Sequence, residues 1–162
     1  MPLRPARMED QAAIITLLAQ SFETTAEASL VEAINRGGYD PVSIVHESDG
    51  AVDGYCLMSQ MRSPADCLGL GPIAVAESQR KGGLGAQMVR EAINRAVSNG
   101  WRAIFVLGDP AYYGRFGFSV ARAARFETPY PKDYFQILEL EDGAADTLAT
   151  KVLYAEAFDA LT

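Results

Sequence analysis

The sequence predicts an α/β fold, a mixed sheet with helices on both of its faces. Three observations support this prediction. Apolar runs of strand length alternate with amphipathic stretches of helical period, an Asp-Gly pair separates two strands, and a glycine-rich turn leads from a strand into a long helix. The 162 residues have the length of a single domain, which we expect to span residues 1–162.

The first part of the chain is predicted to have the order β-α-α-β-β. Apolar residues at helical spacing mark both helices, and Thr24 and Glu27 have the spacing of a capping box at the start of the second. Asp49-Gly50 predicts a tight hairpin between the two later strands. The predicted elements are a strand over Leu3–Arg7, a helix over Asp10–Phe22, a helix from Thr24 to Gly37–Gly38, and strands over Val42–His46 and Ala51–Met61.

The fourth strand and the helix after it are predicted from clear patterns. The apolar run Leu68–Val75 includes Pro72, which cannot donate a hydrogen bond to a neighbouring strand, so we expect a bulge or an unpaired edge there. A glycine-rich turn follows, and then an amphipathic helix that Gly100 is expected to cap. The apolar stripe of this helix comprises Leu84, Met88, Ala92, Ile93, Ala96 and Val97.

The remaining residues predict shorter elements. Ala103–Leu107 is typical of a buried strand. Asp109-Pro110 predicts the start of a short helix that ends near Arg115, because aspartate caps helices and proline favours their first position. Further strand candidates are Phe118–Ala121, Phe135–Leu140 and Val152–Tyr154.

The composition disfavours several classes of function. A net charge of −7 disfavours general nucleic-acid binding and would suit a cationic substrate. No apolar run reaches the roughly eighteen residues of a membrane helix and no signal peptide is recognisable, so we expect a cytoplasmic protein with no membrane partner. One histidine offers no ready zinc site, and Cys56 and Cys67 are expected to be reduced, buried thiols.

The glycine-rich turn is a candidate anion site. It contains no Gly-Lys-Ser or Gly-Lys-Thr, which argues against a Walker A loop, and Met88 stands where a dinucleotide fingerprint has its third glycine. What remains is Arg80-x-x-Gly83-x-Gly85, where free N–H groups, the helix dipole and basic side chains favour a phosphate. A tight turn with solvated cations explains the same residues, so the pattern alone leaves both interpretations open.

Residues 80–85, Arg-Lys-Gly-Gly-Leu-Gly, match the (Arg/Gln)-x-x-Gly-x-(Gly/Ala) pyrophosphate motif of the GNAT superfamily of acetyl-coenzyme A-dependent N-acetyltransferases. Residues 70–75 resemble the fourth strand of that family, and residues 113–118 resemble its Tyr-x-x-x-Gly-Phe signature. The string over residues 108–118 resembles one bacterial branch of predicted acetyltransferases. The resemblance is weaker over residues 122–162, a segment that often shapes the acceptor site.

The resemblance implies a GNAT-like, mostly antiparallel sheet whose fourth and fifth strands splay apart. Acetyl-coenzyme A would be the co-substrate, with its pantetheine arm in the gap and paired with the edge of the fourth strand at Ile73, Ala74 and Val75. Its diphosphate would rest on the turn. The implied diphosphate-binding residues are Arg80, Lys81, Gly82, Gly83, Leu84 and Gly85.

The resemblance also implies the chemistry, which is transfer of an acetyl group to a primary amine, in a small molecule or a peptide, within a ternary complex. By family position Tyr113 is the general acid for the departing thiolate, with Tyr112 as the runner-up. A purely structural aromatic cluster is the alternative interpretation. The family's usual acidic residue on the fourth strand is absent, and no general base is assigned. Other polar candidates are Glu47, Asp66, Asp109 and His46.

A non-catalytic module that binds coenzyme A as a sensor or scaffold is the competing function. The Arg80 motif and Tyr113 favour catalysis, whereas the absent acidic residue keeps the alternative open. The sequence also leaves open the acceptor amine, the acyl-chain preference and the formation of a homodimer.

Overall fold

The computed structural model describes residues 3–22, 24–38 and 40–161. Six strands form one sheet in the order β1-β2-β3-β4-β5-β6, and neighbouring strands are antiparallel except β4 and β5, which are parallel. The strands are β1 Leu3–Pro5, β2 Val42–Ser48, β3 Ala51–Gln60, β4 Cys67–Val75, β5 Ala103–Leu107 and β6 Phe135–Glu139. The predicted mixed, mostly antiparallel sheet is therefore confirmed.

Helices lie on both faces of the sheet, as predicted. They are α1 Gln11–Ser21, α2 Ala26–Gly37, α3 Leu84–Ser98, α4 Pro110–Tyr113 and α5 Ala144–Thr147. The first two helices pack on one face, against buried strand residues such as Val45 and Tyr55. The third packs on the other face, against Ile44 and Met58. No helix in the described ranges is long and apolar enough to cross a membrane.

Two turn predictions are confirmed. Asp49 and Gly50 both have left-handed φ, 51° and 79°, which is the backbone that a two-residue hairpin requires. Gly100 also has positive φ, 80°, and its N–H donates to the Val97 carbonyl at the end of α3. Val97, the last residue of the predicted apolar stripe, is 54% exposed, so the stripe is not buried at its end.

The second helix begins later than the capping-box pattern predicts. Its first residue is Ala26, and Thr25 is the N-cap. The Thr24 hydroxyl accepts the N–H of Ala26 at 3.2 Å and lies 3.3 Å from the carboxylate of Glu27. The side chains of the predicted pair, Thr24 and Glu27, are therefore in contact, but Thr24 lies one residue before the actual N-cap.

Strand β4 has a bulge at its centre and a free edge at its end. Towards β3, Leu57 faces both Gly71 and Pro72, which is a β-bulge. Towards β5, pairing covers only Cys67–Gly69. Within the described part of the chain, residues 70–75 therefore have no strand partner on that side, which confirms the predicted bulge and the predicted splay between the fourth and fifth strands.

The predictions of strands over Phe118–Ala121 and Val152–Tyr154 are wrong. Each segment makes an isolated bridge instead of a ladder, at Ser119 in the first and at Leu153 in the second. The Ser119 hydroxyl accepts the N–H of Arg122 at 3.0 Å, so the chain turns after a single bridge. The C-terminal segment therefore packs against the sheet without extending it.

Candidate active site

The turn between β4 and α3 carries a row of backbone N–H groups without partners. A 3-10 turn at Glu77–Gln79 leads into it, and Lys81 and Gly83 have positive φ of 72° and 81°. Within the described residues, no N–H from position 81 to position 86 donates a hydrogen bond to the protein. Part of this row is the first turn of α3, which an α-helix always leaves unpaired. The turn thus presents donors at the positive end of a helix dipole, as a phosphate site requires.

A first cavity, of about 300 Å³, lies over this turn. On one side Arg80 donates from Nε to the Val75 carbonyl at 3.1 Å, which holds the guanidinium where β4 meets the turn. On another side the Arg115 guanidinium lies 4.3 Å from the centre of the Tyr112 ring. Two guanidinium side chains and the unpaired N–H groups therefore border one cavity, which favours an anionic ligand.

A second cavity, of about 340 Å³, adjoins the first along β4. The two cavities share four lining residues, Val75, Arg80, Gly85 and Tyr112. The second also includes the unpaired edge of β4 at Ile73–Val75 and the end of α1 at Ser21 and Phe22. A Cβ atom at Gly85 would lie 3.4 Å from the Tyr112 hydroxyl oxygen, so α3 and this tyrosine approach each other closely here.

Tyr113 lines the second cavity from the side of β5. Its ring packs on Gly108, which follows β5, and lies edge-on to Phe118 with ring centres 5.8 Å apart. Its hydroxyl has no hydrogen-bond partner in the described residues. Burial raises the pKa of this hydroxyl to about 12, with a smaller contribution from Tyr112. The hydroxyl is therefore protonated at neutral pH, and its proton is available to a ligand.

A third cavity, of about 580 Å³, begins on β4 where the second one ends. Its β4 residues are Leu70, Gly71 and Pro72, directly before the Ile73–Val75 edge. Its other walls come from the start of α2, the end of β5 and the C-terminal segment. The three cavities therefore follow one another along a single unpaired strand edge.

Comparison with known proteins identifies the family. The model of the acetyltransferase (GNAT) family matches residues 12–118, about two thirds of the chain. The chain belongs to the GNAT acetyltransferase family. The uncharacterized N-acetyltransferase YhbS of Escherichia coli is 36% identical to it over 156 residues, which are 93% of this chain and 93% of that protein. The uncharacterized N-acetyltransferase YjhQ of Escherichia coli is 27% identical over 121 residues, 69% of this chain and 66% of that protein.

Solved GNAT structures share the fold. The crystal structure of Escherichia coli YhbS in complex with CoA matches with a TM-score of 0.90 and 34% identity, over 97% of this chain and 91% of that chain. A GNAT acetyltransferase from Brucella melitensis in complex with acetyl-CoA matches with a TM-score of 0.78 and 28% identity, over 97% of both chains. The recognition of a GNAT enzyme from its motifs is therefore confirmed.

The GNAT motif residues lie together in the structure, with one exception. Gly82 does not line the first two cavities, and a Cβ atom there would lie 3.4 Å from the Gln79 carbonyl oxygen inside the turn. The predicted cofactor-binding residues that do line them are Ile73, Ala74, Val75, Arg80, Lys81, Gly83, Leu84 and Gly85.

The polar candidates for a general base do not line any of these three cavities. They are Glu47, Asp66, Asp109 and His46. Asp109 caps α4, as predicted, by accepting the N–H of Ala111 at 2.9 Å. His46 is hydrogen bonded through Nδ1 to the buried Asp53 at 2.5 Å on the β2–β3 hairpin.

Several cavity residues carry no sequence signal of a binding site. They are Ser21 and Phe22 at the end of α1, Glu27 in α2, and Tyr130, Tyr154 and Phe158 in the C-terminal segment. Glu27 belongs to the predicted capping box and the others to no motif, and only the fold brings all of them to the edge of β4.

Proposed function

We propose that this GNAT protein transfers an acetyl group from acetyl-coenzyme A to a primary amine by direct attack within a ternary complex. The observation that carries the proposal is the succession of three cavities along the unpaired edge of β4. The first is suited to a diphosphate, the second to an extended amide-containing arm, and the third to an acceptor. The acetyl-coenzyme A thioester and the acceptor amine would thus meet near Pro72 and Ile73, where the third cavity adjoins the second.

The cofactor would bind through the backbone more than through side chains. The unpaired N–H groups of residues 81–86 would hold the diphosphate, with Arg80 and Arg115 supplying positive charge. The amides of the pantetheine arm would pair with the free edge of β4 at Ile73–Val75. Relatives crystallised with CoA or acetyl-CoA, YhbS and the Brucella melitensis enzyme, support this assignment.

Tyr113 would supply the proton for the departing thiolate. The neutral amine attacks the thioester carbonyl, so that a C–N bond forms, the C–S bond breaks and the sulfur leaves with the electron pair. With a pKa of about 12, the Tyr113 hydroxyl keeps its proton at neutral pH and can donate it to that sulfur. Among the described residues, no hydrogen-bond partner has to be displaced from this hydroxyl first. An acceptor that arrives as an ammonium first loses one proton to solvent, so that the neutral amine attacks. After attack the nitrogen loses a second proton to solvent, and the Tyr113 phenolate regains a proton from solvent, which its pKa of about 12 favours.

The two cysteines are poorly suited to carry the acetyl group. Cys56 and Cys67 are buried in the core, and neither lines any of the three cavities. Burial raises the pKa of each thiol to about 12, so little thiolate is present at neutral pH. Direct transfer to the amine therefore fits these residues better than a covalent acetyl-cysteine.

The test combines thiol release with intact-protein mass spectrometry. Acetyl-coenzyme A alone should leave the protein mass unchanged, and a primary amine should trigger release of the coenzyme A thiol together with formation of an acetylated amine. Acetylation of the protein by acetyl-coenzyme A alone would contradict direct transfer. Binding of acetyl-coenzyme A without transfer to any amine would favour a non-catalytic module.

A further inference from the structure

The third cavity differs from the first two in its chemistry. Among the described residues that line it, Glu27 is the one charged side chain, and most of the others are aliphatic or aromatic. Its volume of about 580 Å³ lies within the range of small-molecule pockets, roughly 300–1,000 Å³. The cavity is therefore large enough for a complete small acceptor and offers it one negative charge in apolar surroundings.

We propose that the acceptor is a small primary amine that carries an aromatic or similarly bulky apolar group and no carboxylate, with its ammonium group on Glu27. This inference rests on the acetyltransferase function proposed above and adds the chemical class of the acceptor.

An aromatic wall forms the apolar side of the cavity. The rings of Tyr130 and Tyr154 meet edge-on with centres 5.6 Å apart, and the rings of Tyr154 and Phe158 lie 5.2 Å apart. Leu107, at the end of β5, also lines the cavity and is a large apolar side chain that remains 40% exposed. Such a surface gains free energy by covering an apolar group, at roughly 25 cal/mol per Å².

This wall is held in place before any ligand binds. Arg62 donates from Nε to the Tyr154 carbonyl at 2.5 Å and from its terminal nitrogen to Asp159 at 2.8 Å. The N–H of Arg62 also donates to the Leu153 carbonyl at 2.8 Å. One arginine therefore fixes the C-terminal segment over the cavity, so that an acceptor meets a preformed surface.

Glu27 supplies the charge. It lies in the first turn of α2, half-buried, 3.3 Å from the Thr24 hydroxyl. Within the described chain it makes no ion pair, and no lysine or arginine lines the cavity. An acceptor ammonium would supply the missing positive charge, whereas an acceptor carboxylate would be left unpaired beside Glu27.

The position of the cavity suits this acceptor. Residues 70–72 of β4 line the third cavity, and the next three residues line the cavity assigned to the pantetheine arm. An ammonium near Glu27 would therefore lie on the acceptor side of the thioester. Its release of a proton would give the neutral amine required for attack.

The test is a panel of matched amines in the thiol-release assay, with acetyl-coenzyme A binding measured in parallel by calorimetry. The reference is 2-phenylethylamine; ethylamine removes the ring, phenylalanine adds a carboxylate, and spermidine replaces the apolar group with charge. We expect kcat/KM for 2-phenylethylamine to exceed that of each other amine by about tenfold or more, a difference of roughly 1.4 kcal/mol.

Two variants, each with a matched control, test whether 2-phenylethylamine binds in the third cavity. Glu27→Gln should raise the KM for 2-phenylethylamine about tenfold, whereas Glu32→Gln, on the same helix and also half-buried, should not. Leu107→Asn should likewise raise that KM, whereas Leu153→Asn, at a comparably exposed leucine outside the cavity, should not. Acetyl-coenzyme A affinity should be unchanged in all four variants.

The outcomes distinguish failure of this inference from failure of the proposed acetyltransferase function. A preference for spermidine, ethylamine or phenylalanine would overturn the inference while leaving an acetyltransferase. Binding of acetyl-coenzyme A without transfer to 2-phenylethylamine would also overturn it. Failure to bind acetyl-coenzyme A at all would overturn the proposed function, and the inference with it.

Discussion

Tyr113 combines a half-buried ring with a hydroxyl that has no hydrogen-bond partner in the described chain. Removing that hydroxyl therefore breaks no hydrogen bond within the described protein, and Tyr113→Phe keeps the ring packing against Gly108 and Phe118. We expect kcat to fall by about 10²- to 10⁴-fold, the usual effect of a lost general acid. Acetyl-coenzyme A affinity and the melting temperature should change little, which steady-state kinetics, calorimetry and thermal unfolding would measure.

Tyr112→Phe is the control for this variant. The Tyr112 hydroxyl lies close to Gly85 at the start of α3, where the first two cavities join. Its loss should leave kcat within a few-fold and affect at most the binding of acetyl-coenzyme A. Unchanged turnover in Tyr113→Phe, or a larger loss of kcat in Tyr112→Phe, would remove the acid role from Tyr113.

The pH dependence of catalysis also depends on this residue. Activity should rise between about pH 7 and pH 9, because more of the acceptor amine is neutral and able to attack. Burial raises the pKa of Tyr113 to about 12, so the hydroxyl stays protonated over that range and causes no falling limb until about pH 11. A kcat/KM profile measured with chemistry as the slow step would check this. A falling limb centred near pH 10 in the wild type and absent in Tyr113→Phe would contradict it.

Among the secondary-structure elements, strands that pair along their whole length with a neighbouring strand could be predicted from the sequence. The buried strand β5 has the predicted bounds, Ala103–Leu107, because a strand covered on both faces is a short, uninterrupted apolar run. The segment around Leu153 shows why other predictions failed. Val152 and Tyr154 are buried and Leu153 is partly exposed, as in a strand. Alternation of buried and exposed residues indicates which side chains are covered. It does not indicate whether a neighbouring segment is extended over enough residues to form a ladder.

The attachment of β1 to the start of α1 depends on one carboxylate. Asp10 is 6% exposed and accepts two hydrogen bonds from Arg4, at 2.7 and 2.9 Å, and one from the N–H of Arg7 at 2.7 Å. The hydrogen bonds from Arg4 are the main reason that the pKa of Asp10 is lowered to about 2. Because the folded state favours the ionised form, this contribution is complete above about pH 4 and is lost as the pH falls towards 2.

Asp10→Asn should therefore lower the free energy of unfolding by about 2 kcal/mol at pH 7. The difference from the wild type should shrink below about pH 4 and become small near pH 2, where about half of the folded wild-type protein has a protonated Asp10. Urea unfolding of both proteins at several pH values is the measurement. A difference that stays constant from pH 7 to pH 2 would show that the charge of Asp10 is not its source.

At the scale of the whole molecule, the sequence predicts most residues of the two proposed cofactor cavities but not those of the third, proposed acceptor cavity. Strand β4, the glycine turn and α3 are contiguous, so one short motif could predict residues that the fold keeps together. The third cavity draws on the start of α2, the end of β5 and the C-terminal segment, which only the folded sheet brings together. Glu27 and the aromatic wall therefore could not be predicted from local patterns.

The central claim is that the glycine turn binds the diphosphate of acetyl-coenzyme A. Two glycines allow a matched test. Gly83 caps α3 with φ 81° and Gly143 caps α5 with φ 77°, and a Cβ atom at either would meet no heavy atom within 4 Å. Alanine should therefore strain both positions similarly, by about 1–2 kcal/mol. Only the methyl group at Gly83 would project from a wall of the first cavity, where the diphosphate would lie.

Calorimetric titration of acetyl-coenzyme A into the wild type, Gly83→Ala and Gly143→Ala is the most direct measurement. The wild type and Gly143→Ala should bind with equal affinity, and Gly83→Ala should bind at least about tenfold more weakly, a loss of roughly 1.4 kcal/mol. Equal affinity in all three proteins, or no binding by the wild type, would contradict the assignment of the turn as the diphosphate site.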